Sequence, residues 1–167
     1  MIIIGTAKNI LKGILFTVIY FTTTMVIPYL TFTWVKNLEV LGVPIVMSQL
    51  EYERILFWIS AFGLLITGFA FFNYSSPKQS IRKAVFALIQ IILNSLYVWS
   101  YKFSGATEVH FEILSVGALS IDFQQMILLY MGIYFFTIIL KGYDLIDFTI
   151  NRHKIREKRY SKGGGRE

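Results

Sequence analysis

Four residues in one stretch of the chain have side chains that bind metals. Glu108, His110 and Glu112 are spaced two apart, and Asp122 follows beyond Ser115-Val116-Gly117-Ala118. Alternation at a period of two places such residues on one face of a strand. A returning strand that ends at Asp122 adds a further oxygen. Carboxylates with one imidazole suit Ca²⁺, Mn²⁺ or Zn²⁺. The same alternation describes the solvated face of an ordinary hairpin, so these four are metal candidates only, and no resident cofactor is expected.

The rest of the chain offers little for catalysis. Its 2 histidines are His110 and His153, and cysteine is absent. That removes thiolate metal sites, disulfides and cysteine nucleophiles. No Gly-x-Ser-x-Gly element is present for a serine nucleophile. Asp144 and Asp147 lie three apart on one helical face, where they are expected to pair with the first cations of the basic tail. No catalytic set follows, and the chain is not expected to be an enzyme.

Uncharged polar residues within apolar runs are the remaining candidates. Thr22, Thr23 and Thr24 precede Pro28, which predicts a kink and a freed carbonyl that a threonine hydroxyl would occupy. Gln90 and Asn94 share a helical face and must find partners in a dry interior. Ser60, Gly63 and Thr67 line another face with Gly68 beside it, and Ala84 and Ala87 continue the Gln90/Asn94 face. Small residues allow close backbone approach in lipid, so these two faces are expected to meet, or to receive a partner helix.

The elements that must position these residues follow from composition. The 167 residues are 55% hydrophobic and 16% charged, with a mean hydropathy of +0.59. A water-soluble globule is excluded. Four stretches meet the length and polarity required to cross a bilayer: 10–34, 55–74, 84–101 and 123–140. The first exceeds a signal-peptide core and is read as a retained helix. The expected fold is an all-α membrane protein, a four-transmembrane-helix bundle forming one domain over 1–150, with outer loops at 36–53 and 102–122 and a basic tail over 151–167.

Charge sets the expected direction. With the N-terminus inside, Lys8, Lys12, Lys78, Arg82, Lys83, Lys141 and seven tail cations are cytoplasmic, against Lys36, Arg54 and Lys102 outside, which divides the 16 basic residues thirteen to three. Both termini are therefore expected in the cytoplasm of a multi-pass cell-membrane protein. Arg152, Lys154, Arg156, Lys158, Arg159 and Lys162 are expected to anchor on anionic lipid headgroups rather than on nucleic acid, which needs a larger basic face.

Both outer loops carry hairpin patterns, Leu38 to Met47 and Glu108 to Phe123, and Ser48-Gln49-Leu50-Glu51 fits a capping box. At an offset of 73, Leu38-Glu39-Val40-Leu41-Gly42-Val43 lies over Phe111-Glu112-Ile113-Leu114-Ser115-Val116 without a gap. A two-plus-two parallel repeat would let the hairpins join as a small extracytoplasmic cap. The expected function is that of a non-enzymatic subunit or accessory protein of a membrane complex, binding another membrane protein or a second copy. The alternative is a small oligomeric transporter, channel or lipid-binding protein.

Overall fold

A computed structural model describes residues 2–37, 39–40, 43–44, 48–78, 80–113 and 117–151, with side chains described over 7–37, 48–78, 80–107 and 122–151. It contains four helical spans long and apolar enough to cross a membrane: Ala7–Lys36, Gln49–Ser75, Ile81–Ser104 and Gln124–Ile150. The tail cations Arg152, Lys154, Arg156, Lys158, Arg159 and Lys162 lie outside the described residues.

The first span has three parts: α1 (Ile2–Phe21), a π-helical turn (Thr22–Val26) and α2 (Ile27–Lys36). Pro28 causes the irregularity, because it has no N–H for the carbonyl of Thr24 and its ring crowds that oxygen. The turn before it widens so that the Ile27 amide donates to the Thr22 carbonyl, five residues back. The three threonines soften the same region. Thr23 donates to the Ile19 carbonyl at 2.9 Å and Thr24 to the Tyr20 carbonyl at 2.7 Å. Neither reaches the carbonyl of Thr24. That oxygen is taken at 2.9 Å by the hydroxyl of Tyr97 from another helix, which corrects the expectation that a threonine would fill it.

The second span, α3 (Gln49–Ser75), begins at the anticipated capping box: the Ser48 hydroxyl accepts from the Glu51 amide, and the Glu51 carboxylate accepts from the Ser48 amide. The third, α4 (Ile81–Ser104), starts at Ser80, whose hydroxyl accepts from the Lys83 amide. It ends at Gly105, where φ is 86°, a left-handed turn that glycine adopts without steric penalty. The fourth, α5 (Gln124–Ile150), extends ten residues past the expected boundary at 140 and carries Asp144 and Asp147 with it.

The spans pack in chain order: α1 on α3, α3 on α4 and α4 on α5. The centre belongs to α3. Its buried positions, Ile55, Ile59, Gly63, Ile66, Thr67, Ala70 and Asn73, recur at helical spacing and form a single stripe. Ile55, Ile59, Ile66 and Tyr97 make the core, with Tyr20, Phe32, Phe62, Leu93 and Tyr101 packed around it. By contrast, none of α5 is buried.

Two short antiparallel ladders join the helices at one end. β1 (Glu39–Val40) pairs with β2 (Val43–Pro44), and β3 (Glu108–Ile113) with β4 (Gly117–Asp122). Among the described residues these are two separate sheets, with β2 near β3 but not in its ladder. The hairpins also differ in register. Val40 opposes Val43 across two residues, whereas Ile113 opposes Gly117 across three. At an offset of 73 Val40 corresponds to Ile113 and Val43 to Val116, one residue short of the Gly117 that pairs with Ile113.

Candidate functional site

The end of the bundle opposite the hairpins gathers lysines from three spans and one turn. Lys8 and Lys12 come from α1, Lys78 from the α3–α4 turn, Lys83 from the first turn of α4 and Lys141 from α5. Their convergence follows from the up-and-down chain path, which brings one end of each helix together.

Lys8, Asn9, Leu11, Lys12, Leu15, Tyr74, Ser76, Lys78 and Lys83 line a cavity of about 510 Å³. Phe16 and Tyr74 stack face to face on one wall, with centroids 3.8 Å apart and planes within 2°. The Lys12 ammonium sits over this pair, 5.7 Å from the Phe16 ring and 5.9 Å from the Tyr74 ring, close enough for cation–π attraction. Close approach of α1 to α3 makes the stack possible. A Cβ on Gly13 would lie 2.8 Å from the Ser75 Cβ and 3.2 Å from the Phe71 ring. The sequence reading passed over Gly13, because one glycine near a helix start carries no signal until its neighbour is known.

Lys83 stands between this cavity and a smaller one of about 290 Å³, bounded by Ser80, Ala84, Ala87, Lys141, Asp144 and Phe148. Lys141 has its own counterion in Asp144, at 3.1 Å. Among the described residues no carboxylate pairs with Lys8, Lys12, Lys78 or Lys83. Asp147 accepts from the Asn151 side chain at 2.6 Å. Among the described residues both aspartates have partners within α5 or at its end, and the tail cations expected to pair with them lie outside the described residues.

The intramembrane candidates are distributed differently from the expectation. Gly63 lies against the first span: a Cβ there would lie 3.2 Å from the Met25 Cβ and 3.3 Å from the Thr24 carbonyl oxygen. Thr67 donates to the Gly63 carbonyl within α3 at 2.7 Å. Ser60 is half-buried on the same helix, whereas Gly68 is exposed, with open space where a side chain would go.

Gln90 is 4% exposed and accepts at 2.8 Å from Asn73, a partner that the sequence reading did not single out. Among the described residues nothing pairs with the buried Asn73 Oδ1 and Gln90 Nε2. Asn94 is half-buried, as is Ala87, which borders the smaller cavity. Thr22 is exposed, and Pro28 is half-buried at the π turn.

The hairpin register sets Glu108 opposite Asp122 and His110 opposite Ser120, with Glu112 opposite Ala118. The side chains of Glu108, His110 and Glu112 lie outside the described residues. Asp122 is exposed, and its Oδ1 accepts from the Gln124 amide at 2.7 Å, a local bond at the start of α5. Among the described residues no group of three metal-ligating side chains occurs.

No protein-family model matches the chain, and no curated protein and no solved structure shows significant similarity to it.

Proposed function

We propose that this chain is a non-enzymatic subunit of a membrane complex and that α5 is the span that meets its partner. One observation carries the reading: α5 buries none of its residues and packs its backbone against α4. Lipid tails are as apolar as the helix surface, so no hydrophobic force holds a span in a bundle. Close packing and interhelical hydrogen bonds must do so. The hydrogen bond described between α4 and α5 is a weak one, Ser95 Oγ to Met131 Sδ at 3.6 Å. A second helix on the far side of α5 would complete its packing.

Gly132 supports the same face. It is exposed, and a Cβ there would meet nothing within 4 Å, so another backbone can come close. The partner in this reading is another membrane protein. The hairpins then cap the outer side, and the lysine-rich end, with both termini, faces the cytoplasm in accord with the preference of cations for that side.

A chain without cysteine makes the test direct. Single cysteines at Leu129 and Phe136, which are 67% and 69% exposed, should cross-link in native membranes to one membrane protein in stoichiometric yield. Gly132→Leu should remove that adduct. Cross-linking only to a second copy would replace the subunit reading with a homo-oligomer, and the absence of any protein adduct would overturn it.

A further inference from the structure

The cavity at the lysine-rich end has a composition that helix packing does not require. Four lysines, Lys8, Lys12, Lys78 and Lys83, line one space of about 510 Å³. Like charges repel, and an anion among them offsets that repulsion. No described carboxylate does so, in contrast to Lys141 beside it. The remaining polar lining, Asn9 and Ser76, adds uncharged hydrogen-bonding groups suited to phosphate oxygens.

The apolar part of the lining indicates what carries the phosphate. Leu11 and Leu15 belong to the same wall and are 69% and 58% exposed on the outer surface of α1. The cavity is therefore continuous with a strip of helix that faces acyl chains. A ligand with an anionic head and an apolar tail matches both parts. A free anion matches only the first.

We propose that this cavity is a binding site for an anionic phospholipid with a phosphomonoester head, the head lying among Lys12, Lys78 and Lys83 and an acyl chain running along Leu11 and Leu15. A phosphomonoester carries nearly two charges at neutral pH, more than the single charge of a diester, and so offsets more of the clustered cations. The Phe16/Tyr74 stack holds the Lys12 side chain in place, so less of its rotamer freedom remains to be lost on binding. The site is separate from the α5 face and does not depend on the subunit reading.

The test uses the full chain in neutral phosphatidylcholine nanodiscs, with phosphatidic acid as the probe and native mass spectrometry as the readout. Wild-type protein should retain one phosphatidic acid per chain. Lys12→Gln/Lys78→Gln/Lys83→Gln should retain it about a hundredfold more weakly, each cation contributing roughly a factor of five. Lys36→Gln/Lys102→Gln, at the opposite end, should retain it as wild type does.

Thermal unfolding in detergent checks that the triple variant is folded. If it is not, Leu11→Asp/Leu15→Asp, which leaves the lysines intact, should still weaken retention. Retention by the triple variant equal to wild type overturns the proposal, as does loss of the adduct in Lys36→Gln/Lys102→Gln. Displacement of phosphatidic acid by soluble glycerol phosphate at equal concentration assigns the site to a free phosphate ester and overturns the lipid.

Discussion

The two ends of the same four helices treat their polar groups in opposite ways. Toward the hairpins, several described hydroxyls and one lysine bond across helices. Tyr101 donates to Tyr97 at 2.6 Å, Tyr97 donates to the Thr24 carbonyl, and Thr33 and Tyr52 share a bond of 3.0 Å. Lys36 reaches Gln49 and lies 4.2 Å from the centre of the Tyr52 ring. Toward the lysine-rich end, a buried amide pair keeps two unpartnered atoms and four cations surround a space. Hydroxyls that bond across helices hold the helices together, whereas unpaired groups beside a cavity leave energy available for a ligand.

Gly13→Val is expected to have the largest effect. The Ser75 Cβ cannot move away as the end of a flexible side chain could, so α1 and α3 must separate, at about 2 kcal/mol. Unfolding in detergent should show the loss, and phosphatidic acid retention should fall with it because the Phe16/Tyr74 wall opens. Loss of stability without loss of retention would separate the helix contact from the cavity.

The amide pair comes next. Asn73→Leu leaves Gln90 buried without its donor and should cost about 1–2 kcal/mol, whereas Asn73→Leu/Gln90→Leu should recover most of that, because two apolar groups leave nothing unsatisfied. A double variant as unstable as the single would mean that the pair is satisfied by something else, such as a ligand, and would move it from packing to function.

The smallest effect probes the hairpin end. Tyr97→Phe strands the Thr24 carbonyl and should cost about 1 kcal/mol. In a Pro28→Ala background the backbone N–H restored at position 28 can serve that oxygen, so the same change should cost little. The double-mutant cycle reads the coupling directly. Independent effects would show that the π turn does not depend on Tyr97.

The legibility of these features differed according to how far apart the interacting residues lie in the chain. The capping box at Ser48 and Glu51 could be read locally, since both members fall within four residues of the helix they start. The Pro28 irregularity was legible too, but the identity of its partner was not: Tyr97 is 73 residues away from Thr24, and nothing in its neighbourhood marks it as a donor for that carbonyl. The same limit applied to Asn73. It sits in an apolar run and becomes a partner for Gln90 only once α3 and α4 are packed.

Composition and hydropathy alone determined that the chain has four membrane-length helices and little material for catalysis, because the bilayer imposes a length and a polarity that each span must meet independently. Only the tertiary structure decided that Lys8, Lys12, Lys78 and Lys83 face one space, that Gly63 meets the first span, and that α5 is left with one packed side. Those are relations between helices, and in a solvent as apolar as the helix surface they are set by side-chain shape and hydrogen-bond geometry, which hydrophobic patterning does not encode.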